Sequence, residues 1–86
     1  MRLVIVSSDN KFYYIGLERG NWGVETYQGF IMSVLNIDED KYKKILKHHG
    51  GIDDHYFNFY FDEYENIQNC IEELIPYLIM SKLTGD

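Results

Sequence analysis

The run Leu3-Val4-Ile5-Val6 limits the folds open to this chain more than any other stretch. These residues are apolar without alternation and mostly β-branched, which suits a strand covered on both faces. Such a strand needs a paired neighbour on each edge and a packed layer on each side. Ser8-Asp9-Asn10-Lys11 follows, and Asp and Asn tolerate the positive φ of a tight turn, so a hairpin is predicted. Residues 12–17 form the returning strand, with Tyr13, Ile15 and Leu17 facing inward and Phe12 and Tyr14 outward.

Beyond a glycine-containing loop at 18–23, the hydrophobic period changes. Val24, Tyr27, Phe30, Ile31, Val34 and Leu35 recur at helical spacing and predict a helix, although Gly29 weakens it. Asp38 can cap a second helix carrying Tyr42, Ile45, Leu46 and His49 on its buried stripe, and Gly50-Gly51 stops it. Residues 54–61 alternate: His55, Phe57, Phe59 and Phe61 face one way, Tyr56, Asn58 and Tyr60 the other, as in a third strand. Asp62 with Glu65 resembles a capping box for a long last helix bearing Ile67, Cys70, Ile71, Leu74, Leu78 and Ile79. Pro76 should kink or split that helix, because it lacks a backbone donor.

The order ββααβα describes a small two-layer α+β domain: a three-stranded antiparallel-type sheet with helices on one face. If the third strand lies parallel to the second after a right-handed crossover, the spatial order is 2-1-3, with the apolar first strand central. Residues 1–86 are read as a single domain, near the lower size limit for folding without staples. The only cysteine is Cys70, so no internal disulfide forms; it falls on the last apolar stripe as core filler. The opening apolar run is too short for a signal peptide, and no stretch approaches the roughly 20 apolar residues of a membrane span. A cytoplasmic protein without membrane contact is expected.

Eight tyrosines and a net charge of -6, from 14 acids against 8 Lys and Arg, set the expected surface. Tyrosine joins a stiff contact area to a polar tip, the chemistry enriched where proteins grip proteins. With Tyr14, Tyr56 and Tyr60 on one open sheet face, a partner-binding patch is expected there. Stacking of RNA bases on these rings is disfavoured: phosphate needs cations, and the strands offer only Arg2 and Lys11.

Charge is also segregated. Lys41, Lys43, Lys44 and Lys47 lie together without an acid, so the rest of the chain carries -10, four more negative than the whole. Acids at 38–40 and lysines at 41–47 suit the dipole of one helix, which does not account for the overall surplus. Glu63, Glu65, Glu72 and Glu73 would meet a basic patch beside the tyrosines. In size and charge the chain is similar to small phage-type inhibitors of nucleases and CRISPR effectors, an analogy of type that no motif carries.

His48, His49, Asp53 and His55 form the only cluster with metal-ligand chemistry. Its spacing matches no established site, and adjacent helical histidines diverge by roughly 100°. No phosphate-cradling glycine loop and no nucleophile elbow occurs. The expectation is therefore a non-enzymatic, cofactor-free, acidic protein-binding module. In its sharper form it is an inhibitor from a phage or mobile element that imitates nucleic acid on a basic protein surface. The alternatives are a small metal-dependent enzyme using the histidine cluster, and a homodimer or assembly subunit pairing through the tyrosine face.

Overall fold

In a computed structural model, which describes residues 1–9, 11–54 and 58–80, strands β1 (Arg2–Ser8) and β2 (Phe12–Glu18) form an antiparallel hairpin. Their register runs from Arg2 opposite Glu18 to Ser8 opposite Phe12. The turn closes through the Lys11 N–H donating to the Ser8 carbonyl at 3.1 Å, and Asp9 takes the left-handed φ of 54° that a short polar side chain tolerates. At the far end the Arg2 guanidinium reaches Glu18, with Nε 3.1 Å from Oε1. Ile15 and Leu17 are buried, as their alternation predicts.

The architecture is a small α+β domain with a three-stranded antiparallel sheet, but β2 lies at its centre instead of β1. Strand β3 (Val24–Glu25) pairs with Leu17 and Glu18. Farther along the same edge, Tyr13 and Phe61 exchange both backbone hydrogen bonds at 2.8 Å. The 2-1-3 order assumed a parallel crossover into the last strand. Instead, β4 (Ile52–Asp53) turns back onto β5 (Phe59–Tyr60), and the hairpin delivers Phe61 antiparallel to Tyr13. The crossover rule does not govern an antiparallel return. Of the strand expected over 54–61, Phe59–Tyr60 is strand and Phe61 a bridge; His55, Tyr56 and Phe57 lie outside the described residues.

The helix expected from Val24 starts later, as α1 (Gln28–Ser33). Gly20 and Gly23 adopt φ of 63° and 84° around a 3₁₀ turn, and the Arg19 N–H donates to the Gly23 carbonyl at 2.8 Å, which folds Val24 back along β2. Helix α2 (Glu39–His48) has its Asp38 cap, whose carboxylate accepts the Lys41 N–H at 2.7 Å. Its end is a Schellman arrangement. Gly51 N–H donates to the Leu46 carbonyl at 2.7 Å and Gly50 N–H to Lys47 at 3.0 Å, with Gly50 at φ 92°.

The Asp62–Glu65 capping box does not form. Helix α3 (Tyr64–Leu74) has Glu63 at its N-cap without a side-chain cap bond. Pro76 acts as predicted: α3 ends at Leu74 and a 3₁₀ turn takes Ile75–Tyr77. Leu78 and Ile79 leave the helical stripe; Leu78 bridges Leu35, and the Ile79 N–H donates to the Val34 carbonyl at 2.9 Å. One core results, in which Ile31, Tyr42, Leu46, Phe61, Ile67, Cys70 and Leu74 meet Ile15 and Leu17 on the helix side of the sheet.

Candidate protein-binding face

Alternation divides the sheet cleanly. The odd residues Leu3, Ile5 and Tyr13 pack against the core beside Ile15 and Leu17, whereas Val4, Val6, Tyr14 and Tyr60 take no part in it. Those even-numbered residues, with Phe12 and Val24, form the outer face. The Phe12 and Tyr60 rings meet edge to face with centroids 5.1 Å apart, and Tyr14 lies 6.5 Å from Tyr60. Phe12 is 42% exposed and Val24 47%. Gly16 has no side chain to hold the valines apart: a Cβ there would stand 2.8 Å from both Val24 Cγ1 and Val6 Cγ2. Aromatic and branched apolar groups thus share one surface, the composition of an interface core.

Among the tyrosines expected to bind, Tyr14 and Tyr60 come together, and Tyr56 lies outside the described residues. The glutamates do not join them. Glu65, Glu72 and Glu73 are exposed on α3, and Glu63 is exposed just before it. Helix α3 covers the opposite side of the sheet, where Tyr64 meets the Tyr13 ring at 5.6 Å and Ile67, Cys70, Ile71 and Leu74 are buried. An apolar stripe turned to the sheet leaves the acids of α3 pointing away from it. The expected single surface of tyrosines rimmed by acid is therefore two surfaces on opposite layers. Glu73 is also engaged, with Oε1 2.8 Å from His49 Nε2.

A second exposed aromatic group escaped the sequence pattern. Trp22 is 81% exposed and Tyr27 59%, and Tyr27 meets Phe30 edge to face at 5.5 Å while the Arg19 guanidinium lies 5.6 Å from the Phe30 ring centre. Helical spacing puts Tyr27 and Phe30 on one stripe with Ile31, Val34 and Leu35, of which only the last three are buried. The one available signal was Trp22 itself, a large ring in a glycine-flanked loop with no periodic partner.

The histidine cluster does not converge within the described residues. The His48 and His49 rings meet edge to face at 5.3 Å, His49 is taken up by Glu73, and no group of three or more His, Cys, Asp or Glu is gathered there. His55 is outside the described residues. The lysine-rich helix has partners of its own: Lys43 Nζ sits 2.9 Å from Glu39, and the Lys41 ammonium lies 4.5 Å from the Tyr77 ring centre. The Tyr77 hydroxyl raises the Lys41 pKa above its ordinary value.

Cys70 is fully buried, and burial, with the charge of Glu73 adding to it, pushes its thiol up to about 12. A thiol held protonated in this way is packing material and not a nucleophile. Among the described residues no helix is long and apolar enough to cross a membrane. Comparison with protein-family models, curated proteins and solved structures gave no match.

Proposed function

We propose that this chain is a non-enzymatic protein-binding module that docks through the outer face of its sheet. One observation carries the reading: Phe12, Tyr14, Tyr60, Val4, Val6 and Val24 share a face that lies outside the core. Rings of this kind give contact area at a small entropic cost, and hot spots are enriched in them. The acidic excess selects partners with basic surfaces and speeds their encounter. In the sharper form the partner is a nucleic-acid-handling enzyme, a nuclease or CRISPR effector, and the chain is a phage-type inhibitor in the cytoplasm. The exposed glutamates of α3 would then occupy the basic channel, and the sheet face, on the opposite layer, would grip a separate surface of the partner.

Affinity capture with the wild-type chain and a Tyr14→Asp/Tyr60→Asp variant tests the docking face. A partner retained by the first and lost with the folded second supports it; equal retention removes it. The charge-based form also requires binding to weaken steeply with added salt. A salt-independent affinity would leave docking without mimicry.

A further inference from the structure

We infer that two copies of this chain pair through the free edge of β1, joining their sheets into one continuous antiparallel sheet about a two-fold axis at Ile5. The first observation is a mismatch between composition and position. Residues 3–6 have the unbroken apolar character of a central strand, yet among the described residues β1 is at an edge and all four are only partly buried. Edge strands usually carry a charge, a proline or a bulge that blocks further pairing. Between Leu3 and Ser8 there is no charge and no proline, and the register with β2 is unbroken.

The second observation is the phase of the backbone. Tyr13 gives its N–H and its carbonyl to Phe61, on the side of β2 away from β1. Antiparallel pairing alternates, so Phe12, Tyr14, Gly16 and Glu18 bond to Ser8, Val6, Val4 and Arg2. The N–H and carbonyl groups of Leu3, Ile5 and Ser7 must then point out of the sheet's open edge. This set is its own complement. Under two-fold symmetry Ile5 pairs with Ile5 and Leu3 with Ser7, each pair exchanging two hydrogen bonds.

The side chains agree with that register. On the outer face Val4 meets the second copy's Val6, and Arg2 lies opposite Ser8, so a chain of net charge -6 sets no like charges against each other in this pairing. A groove of about 380 Å³ runs along β1, and its lining includes Leu3, Ile5, Tyr13, Tyr64 and Ile71 together with the charged Arg2. The second copy's Leu3 and Ile5 fall beside it, where apolar side chains gain burial. A second copy restores β1 to the interior of a sheet.

Sedimentation velocity of the purified chain over a concentration series is the test, and it needs no docking partner, so its outcome is separate from that of the proposed function. A dimer of twice the 10.3 kDa chain mass is expected. Hydrogen exchange should show the Leu3, Ile5 and Ser7 amides becoming protected as concentration rises, with Val4 and Val6 protected throughout. Ser7→Pro and Ile5→Pro each remove an outward donor without touching a β1–β2 bond, and whichever variant folds should sediment as monomer. A wild-type monomer at every concentration overturns the inference. So does a dimer that survives in a folded proline variant, or one in which the odd-numbered amides exchange at a concentration-independent rate.

Discussion

The Tyr42 hydroxyl donates to Gln28 Oε1, and the Gln28 amide donates in turn to the Thr26 carbonyl at 3.1 Å. This relay ties α2 to α1 and to the segment leaving β3, with both Tyr42 and Gln28 almost wholly out of water. Buried polar groups are tolerated when each finds its partner, and here both ends of the glutamine are satisfied.

Removing one partner exposes the asymmetry of such a pair. Tyr42→Phe keeps the ring and strands the Gln28 carbonyl, which should cost about 1–3 kcal/mol. The urea midpoint should fall with an unchanged m-value. Adding Gln28→Leu should cost less than the sum of the single changes. Strict additivity in that cycle would mean the two groups are not coupled.

The same region sets an alkaline limit. Burial raises the Tyr42 phenol well above its ordinary 10.0, and Cys70 contributes to that; the Cys70 thiol rises from 9.0 to about 12. Both folded-state values exceed the unfolded ones, so their contribution is intact below pH 9. As pH climbs, the unfolded chain loses these protons first. Stability should then fall by about 1.4 kcal/mol per pH unit for each group, from pH 9 for Cys70 and from pH 10 for Tyr42. Urea titrations at pH 8, 9.5 and 11 measure this, and Cys70→Ala should remove most of the decline between pH 8 and 9.5. A stability unchanged from pH 8 to 11 contradicts it.

Trp22 is the only tryptophan and is 81% exposed. Its fluorescence should therefore shift little on unfolding and be readily quenched by iodide in the native state. Trp22→Ala should change stability by less than about 0.5 kcal/mol, as for surface sites outside packing. A blue-shifted native emission would place the ring against another surface.

Legibility in the sequence followed how local each determinant is. The Asp38 cap, the Gly50-Gly51 stop and the break at Pro76 depend on a few adjacent residues, and each appears where its chemistry predicts. The inward set of β2 and the outward Tyr14 and Tyr60 followed from alternation. What failed was non-local. Which edge of the hairpin receives Phe61 depends on the β4–β5 turn, whose pairing of Ile52 with Tyr60 leaves no periodic trace. Val24, Tyr27 and Phe30 fit a helical stripe arithmetically, but backbone turns at Gly20 and Gly23 decide the local path first. The separation of the glutamates from the tyrosines required knowing which side of the sheet α3 covers.

Gly16 tests whether the outer face is a closely built surface. The three nearest atoms to a Cβ there are Val24 Cγ1 and Val6 Cγ2 at 2.8 Å and Val4 Cγ2 at 3.3 Å, all side-chain methyls. Gly16→Ala must push at least two valines outward, and overpacking of this kind costs about 1–3 kcal/mol. Against that, alanine gains over glycine in an extended strand by roughly 0.5–1 kcal/mol. The steric term should win, so a net loss in urea stability is expected. Combining it with Val24→Ala, which removes one of the two closest methyls, should recover part of that loss. If Gly16→Ala proves as stable as the parent, the valines do not close over the glycine and the outer face is looser than its geometry implies.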